Sequence, residues 1–316
     1  TGKVLTVINR QTLENNSGRS LTQVLNEQAG LQIGGAQSSP GTNQTVYMRG
    51  AGAANTLILV DGMPVTDGSG ITIQFDLNHL AIDQVERVEI LKGAQSTLYG
   101  SDAVAGVINI ITRKNQSGKK AGFNLHLAGG SYGTFKGTAG ISGVVKKLNY
   151  SVQYNRLQSD GFSSAHDAVG QQKFDRDGIR QDVFNASIGY AISNKWSLRT
   201  YAQQSNYTAS LDDDALADDM NNTNRNKEFL VGLQSIVSIK NGSVTTNLNT
   251  TRVQRRYDDL VNDPVGVGDY DPFHGDYTGH SFFAESYLNY SLHKHLGLLA
   301  GIDYRRNSAD ITTSYS

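Results

Sequence analysis

The sequence predicts an α+β domain followed by antiparallel transmembrane β-barrel strands. In the first part, one segment with helical spacing lies among short strand-like runs. In the second part, polar and apolar residues alternate over segments of about ten positions, the length that a tilted membrane strand needs. Short turns there alternate with long polar connections, as they do in membrane barrels. We therefore place the α+β domain at residues 1–114 and the barrel strands at residues 115–316.

In the first part, Leu21, Val24 and Leu25 have helical spacing and Gly30 provides a stop, so Ser20–Gln28 is predicted to be a helix. Four runs predict strands, and the last of these is expected to be buried because it is rich in β-branched residues: Thr45–Arg49, Leu57–Asp61, Val85–Lys92 and Val104–Thr112. A helix that precedes several short strands indicates a small mixed domain rather than barrel strands.

In the second part, Leu148, Tyr150, Val152 and Tyr154 share one face of a predicted strand, and the polar residues between them share the other. The same rule gives about nine strands in all. A barrel of about eight strands is filled by its own side chains, whereas one of about 22 strands encloses a lumen that a domain can plug. We therefore expect further strands after Ser316.

The composition limits the classes of function. The chain has 316 residues, a formal net charge of −1 and no cysteine. A balanced charge offers no basic face for nucleic acid, so we expect no nucleic-acid partner. Without cysteine there is no disulfide, no thiolate metal site and no cysteine nucleophile in this chain.

Sequence motifs of enzymes are missing. Gly50-Ala51-Gly52 begins a dinucleotide-binding motif, but Asn55 stands where the third glycine belongs. The chain contains neither a P-loop nor a His-Glu-x-x-His sequence. We therefore expect no catalytic residues and no enzymatic activity.

Five motifs follow one another in the order seen in a known family of domains. They are Val46–Gly50 (VYMRG), Leu57–Gly62 (LILVDG), Val85–Gly93 (VERVEILKG), Leu98–Ser101 (LYGS) and Ala105–Lys114 (AGVINIITRK). This series resembles the N-terminal plug domain of TonB-dependent outer-membrane receptors. The sequence around LYGSDAVAGVINIIT is most similar to the vitamin B12 (cobalamin) importer branch of that family.

The resemblance implies an integral protein of the bacterial outer membrane, with the plug inside the lumen of a barrel of about 22 strands. It implies active import of cobalamin or another corrinoid, driven by the TonB–ExbB–ExbD complex. Within transport, a ferric siderophore or haem receptor is the alternative. Outside transport, the alternative is a surface-binding or scaffold protein. A surface-exposed lipoprotein and the remaining barrel segment beyond Ser316 are further expected partners.

The resemblance also assigns residues to solute binding and to plug–barrel contact. Solute contacts are expected from three plug loops: the first is Gly34–Thr42, the second is Asp67–Phe75 and the third is Ala51–Asn55. The residues expected to make these contacts are Gly35, Gln37, Ser38, Ser39, Asn55, Ser69, Ile71 and Gln74. Small and polar side chains there let the backbone approach a bulky ligand. Charged contacts between plug and barrel are expected from Arg49, Glu86, Arg87, Glu89 and Lys92, because buried charges need partners.

Two acidic segments, Phe174–Phe184 and Leu211–Asp219, stand where the cobalamin importer branch carries calcium sites on its loops. Ca²⁺ binds six to eight oxygen ligands, which clustered carboxylates supply. The candidate ligands are Asp175, Asp177, Asp212, Asp213, Asp218 and Asp219. The alternative interpretation is a pair of solvated acidic loops.

Overall fold

The computed structural model describes residues 4–100, 102–113, 119–163, 165, 174–212, 219, 221–259 and 272–315. The described chain has two parts. The first, called the plug here, comprises the elements up to Thr112, and the second, the wall sheet, is a nine-stranded antiparallel sheet that begins at Gly122. The predicted fold class, an α+β domain followed by antiparallel strands, is thus confirmed. No helix in the described ranges is long and apolar enough to cross a membrane.

The plug contains short strands and short helices. Its strands are β1 Val4–Ile8, β2 Leu31–Gly34, β3 Thr45–Met48, β4 Thr56–Val60, β5 Met63–Pro64, β6 Val85–Lys92 and β7 Gly106–Thr112. Its α-helices are α1 Arg10–Asn15, α2 Leu21–Asn26 and α3 Ser96–Tyr99. Single 3₁₀ turns cover Ala53–Asn55, Leu77–His79 and Ile82–Gln84. Each strand predicted from the sequence is present, with ends shifted by at most two residues.

One five-stranded sheet organises the plug, in the order β1-β6-β7-β4-β5. Strands β4 and β7 pair in parallel, which buries Ile58 and Ile108 side by side. Helix α2 packs near the β2–β3 hairpin and starts with a capping box, in which the Ser20 side chain and the Gln23 side chain satisfy each other's backbone amides. The predicted helix is therefore confirmed, and it ends at Asn26.

The wall sheet pairs its strands in chain order. They are β8 Gly122–Gly130, β9 Thr134–Val145, β10 Leu148–Ser159, β11 Ile179–Ser193, β12 Trp196–Ser210, β13 Thr223–Ile239, β14 Gly242–Asp259, β15 Phe273–His293 and β16 Leu296–Tyr315. Strands β8 and β16 form the two edges, so the sheet is open. Nine strands agree with the expected number. Most strands are longer than about ten residues, because hairpin pairing continues into segments predicted to be loops.

The two faces of the wall sheet differ as the alternation predicts. On β10, the side chains of Gln153 and Asn155 are buried, whereas Val152 and Tyr154 are 37% and 44% exposed. The buried polar face is the one that contacts the plug. The apolar face therefore points away from the plug, as it does in a barrel whose outside meets lipid.

The two ends of the wall sheet differ in their connections. Tight turns follow β9, β11, β13 and β15 at one end, called the inner end. Long connections follow β10, β12 and β14 at the other, the outer end, through residues 160–178, 211–222 and 260–272. The turn around Tyr132, between β8 and β9, also lies at the outer end. This asymmetry between short and long connections was predicted from the sequence, and it distinguishes the two ends of the sheet.

Candidate functional site between plug and wall

Three arginines of the wall sheet form ion pairs with three aspartates of the plug. The pairs are Asp61–Arg199, Asp67–Arg255 and Asp102–Arg305, each with a shortest nitrogen–oxygen distance of 2.6 Å. The side chains of Asp61 and Asp67 are buried. Removing one partner of a buried pair leaves an uncompensated charge, which costs about 3–5 kcal/mol. These pairs therefore fasten the plug to strands β12, β14 and β16.

The local backbone aims Asp61 at the wall. Asp61 follows β4 in a tight turn with a left-handed φ of 51°, a conformation that aspartate tolerates better than most residues. Its carboxylate accepts hydrogen bonds from the Thr112 amide at 3.1 Å and the Thr112 hydroxyl at 2.6 Å, besides the Arg199 guanidinium. Sequence reasoning placed Asp61 at the end of a predicted strand and in the LILVDG motif, and it missed the role of Asp61 in docking.

A buried polar network continues the contact between the ion pairs. The Tyr207 hydroxyl donates to the Asp76 carboxylate at 2.6 Å. Burial raises the pKa of Asp76 above its ordinary value, although the Tyr207 hydrogen bond opposes this rise. Next to it, His79 Nδ1 lies 3.0 Å from the Ser205 hydroxyl. Burial lowers the pKa of His79 to about 3, so its 3.9 Å approach to Glu228 is not an ion pair at neutral pH.

The charged residues singled out from the sequence lie elsewhere in the plug. Arg87 Nε donates to the Glu89 carboxylate at 2.7 Å, and both belong to β6. Asn109 of the neighbouring strand β7 also donates to Glu89, at 3.1 Å. Arg49, Glu86 and Lys92 are at least partly exposed. Their contact with a barrel stays a prediction, and the described contacts assign Glu89 to holding β6 and β7 together.

Three of the predicted calcium ligands come together at the outer end. One carboxylate oxygen from each of Asp175, Asp177 and Asp212 lies within 4.8 Å of the others. The amide of Asp219 donates to Asp212 at 3.3 Å, so this fourth candidate lies beside the cluster. Asp213 and Asp218 lie outside the described residues. Three carboxylates this close repel one another, and a hard cation with oxygen ligands would remove that repulsion.

The loop after β2 joins the acidic cluster to the plug. The hydroxyl of Ser39 donates to Asp177 at 3.2 Å, and both side chains are buried. Gly41 lies in the same loop, and a Cβ there would come within 2.2 Å of the Ala209 Cβ on β12. Gln37 and Ser38, between β2 and this contact, are exposed. The loop therefore presents part of its surface to solvent while its tip is fastened to the wall.

Some of the other residues predicted to contact the solute are exposed, and others are bonded within the plug. Ile71 is fully exposed at the tip of the second loop. Ser69 is buried and donates to Asp67 through its amide and its hydroxyl, at 2.8 and 2.5 Å. Gln74 bonds to the backbone of Val46, and Asn55 bonds to Gly52, both within the plug. Direct solute contact stays a prediction for these residues, and Ile71 is the most accessible of them.

A cavity of about 440 Å³ lies between the plug and strands β9–β11. On the plug side it is lined by α2, the Gly35–Gly41 loop and the 3₁₀ turns before β6. On the wall side, Tyr132 and Phe162 lie at the outer end with ring centroids 5.3 Å apart. Pockets of this volume are typical of small-molecule sites. No sequence pattern predicted this cavity, because a cavity depends on how two distant segments pack.

Comparison with known proteins shows what the chain is similar to. Residues 1–107 match the family model described as TonB-dependent Receptor Plug Domain. The match covers β1 to the start of β7, the part of the chain that docks on the wall sheet. The first part of the chain is therefore similar to the plug domains of TonB-dependent receptors.

Curated relatives and solved structures show the same similarity to TonB-dependent receptors. The vitamin B12 transporter of Vibrio vulnificus is 38% identical over 112 residues, which is 35% of this chain and 18% of that protein. The vitamin B12 transporter of Vibrio cholerae is 29% identical over 195 residues, or 61% of this chain and 31% of that protein. The ferric enterobactin receptor of Pseudomonas aeruginosa has a similar fold, with a TM-score of 0.71 at 21% identity, over 97% of this chain and 49% of that structure. This chain thus matches at most half the length of these proteins.

Proposed function

We propose that this chain is part of an outer-membrane receptor that imports cobalamin or a related corrinoid with energy from TonB. The observation that carries the proposal is the similarity to vitamin B12 transporters, which in one relative extends over 195 residues, beyond the plug and into the wall strands. The plug docked on the polar face of the wall supports import through a barrel that must otherwise stay closed. The outer end, with its long connections, faces the cell exterior in this proposal.

Calcium is the expected cofactor. Asp175, Asp177 and Asp212 would hold it, because their carboxylate oxygens already converge within 4.8 Å and oxygen donors suit Ca²⁺. When bound, the ion would neutralise the cluster and hold Asp175 and Asp177 against Asp212. Through the hydrogen bond from Ser39 to Asp177, this contact would also fix the first plug loop. A solute would then meet a defined surface made of Gln37, Ser38 and the outer connections.

The remaining parts of the proposal concern partners. TonB, with ExbB and ExbD, would supply the energy, since the outer membrane has no energy source of its own in this family. A surface-exposed lipoprotein would be an additional partner on the outside. Neither interaction involves a residue whose role the described contacts define, so both depend on the similarity of residues 1–107 to the plug-domain family alone.

Titration of the full-length receptor with cyanocobalamin, first in calcium and then in EDTA, tests the proposal. Saturable binding in calcium that weakens at least tenfold in EDTA is the expected result. Binding that is equal in both buffers would remove calcium from the proposal and leave the corrinoid. If cyanocobalamin does not bind in either buffer while a ferric siderophore or haem does, the receptor belongs to the alternative transport class. A receptor that binds none of them would favour a surface-binding or scaffold role.

A further inference from the structure

The two sides of the plug are attached to the wall sheet in different ways. Strands β12, β14 and β16 hold it through the three arginine–aspartate pairs described above. In the described part of the chain, no arginine–carboxylate pair joins the plug to β8–β11. On that side, Lys136 donates to the carbonyls of Ser17 and Arg19 at 3.2 and 3.1 Å, and the Thr138 hydroxyl donates to Asp83 at 3.2 Å. His126 lies 3.7 Å from Asp83 and is 44% exposed.

The cavity of about 440 Å³ lies on this weakly attached side. It is lined by β9 from Thr134 near the outer end to Thr138, a distance of about 13 Å at the usual rise along a strand. Two buried polar atoms that have no hydrogen-bond partner among the described residues belong to its lining residues, Asn155 Nδ2 and Gln44 Oε1. Asn155 is only 5% exposed. A buried amide nitrogen or oxygen atom without a hydrogen-bond partner costs about 1–3 kcal/mol, which a polar ligand or water would recover.

We propose that the solute passes the plug on this side, through the cavity between the plug and strands β9–β11, while the arginine-paired side stays docked. The inference rests on the proposed import function and adds a route to it. The cavity offers one amide donor, Asn155 Nδ2, and one amide acceptor, Gln44 Oε1, so it suits a solute whose rim carries carboxamide or hydroxyl groups. The plug is also held on this side by hydrogen bonds from Gln181 to the Asn78 carbonyl, from Asn185 to Gln84 and from Ser39 to Asp177. Movement of the plug away from β9–β11 thus breaks hydrogen bonds in which at most one partner is charged, whereas movement away from β12–β16 would separate buried ion pairs.

Reversible cross-linking tests the route in the full-length receptor. Since this chain contains no cysteine, pairs of cysteines can be introduced on each side. Asp83→Cys with Thr138→Cys replaces a contact on the cavity side, and His79→Cys with Ser205→Cys replaces one on the paired side. A bis-methanethiosulfonate linker joins each pair, and dithiothreitol removes it. Cellular uptake of labelled cyanocobalamin and its binding at the surface are measured before and after reduction.

Cross-linking on the cavity side is expected to lower uptake at least tenfold and to leave surface binding within twofold, with recovery after reduction. Cross-linking on the paired side is expected to leave uptake within twofold. Unchanged uptake with the cavity side closed, or a tenfold loss with only the paired side closed, would overturn the route.

A second readout does not depend on the identity of the solute. In planar bilayers, urea is expected to loosen the plug, so that an ionic current follows. We expect the cavity-side link to suppress this current and the other link to leave it; the reverse pattern, or equal suppression by both, contradicts the route. If the linked variants show the expected currents but the same variants, after reduction, do not take up cyanocobalamin, the route stands and the corrinoid assignment fails.

Discussion

Arg255 Nη2 lies 2.6 Å from Asp67 Oδ2, so a guanidinium of strand β14 and a carboxylate of the second plug loop form a buried ion pair. The same guanidinium donates through Nε to Asn226 at 3.2 Å, and the Asp67 carboxylate also accepts hydrogen bonds from the amide and the hydroxyl of Ser69. Both charges are thus hydrogen-bonded on more than one side, which is the condition for a buried pair to be tolerated. This contact connects a loop near the proposed solute site to the wall.

Replacing Asp67 by asparagine should weaken plug docking by about 3 kcal/mol, because Arg255 then stays buried without its counter-charge. The measurement is a urea titration of the full-length receptor with a dye on Leu5→Cys, an exposed plug position. Asp276→Asn is the matched control, since it removes the partner of Arg256 on the face away from the plug. It should leave the midpoint unchanged. An equal shift in both variants would show that the Asp67 effect is not specific to docking.

Replacing Asp177 by asparagine should weaken calcium binding at least tenfold, because the cluster then loses one of three converging carboxylates. Terbium luminescence, with calcium as competitor, measures the affinity. Asp182→Asn is the control, since Asp182 pairs with Arg156 on β10, away from the cluster. Calcium affinity that is the same in wild type and Asp177→Asn would mean that the acidic residues form only a solvated loop.

Acid should weaken plug docking through His79. Its pKa is about 3 in the docked plug and ordinarily 6.5, so the released state binds the extra proton between these values. The contribution of His79 to docking is therefore constant above pH 6.5 and falls by about 1.4 kcal/mol per pH unit below it. Asp76 has a raised pKa and acts in the opposite direction, so the difference between wild type and His79→Gln isolates the histidine.

The urea midpoint measured from pH 7.5 to 5 should fall more steeply in wild type than in His79→Gln. Exposed His280 provides the control, because His280→Gln should reproduce the wild-type slope. Parallel curves for wild type and His79→Gln would show that His79 titrates normally in the docked plug.

Replacing Gly41 by alanine should displace the first plug loop from β12. A Cβ at this position would come within 2.2 Å of the Ala209 Cβ, and its φ of +89° is unfavourable for alanine. Gly50→Ala is the control, since Gly50 has a similar φ of +76° and nothing within 4 Å. Both variants carry the left-handed cost of about 1–2 kcal/mol. Cyanocobalamin affinity should fall only in Gly41→Ala, and equal affinities in the two variants would contradict loop displacement.

Sequence reasoning predicted the strand faces and selected three aspartates that the structure brings together, but it did not find the docking pairs. Asp175, Asp177 and Asp212 stand in two acidic segments that were singled out by resemblance, and their carboxylates converge, whereas calcium binding stays a prediction. Asp61 and Asp67 carry no such signal, because each stands in a Gly-containing turn where aspartate is common. Glu89 looked suitable for docking, yet its partners Arg87 and Asn109 belong to the plug itself.

The sequence by itself determined the plug-like motif series, the fold of each part and the two faces of the strands, because these depend on local features: motif order, period-2 alternation and the lengths of turns. Only the tertiary structure decided which wall strands hold the plug, where the cavity lies and which polar side chains are buried. Those outcomes depend on contacts such as Asp61 with Arg199, which lie 138 positions apart in the chain. No local sequence pattern specifies such a pair, since many aspartates, glutamates and arginines in the chain have complementary charges. Only the packing of the folded chain brings two particular residues together.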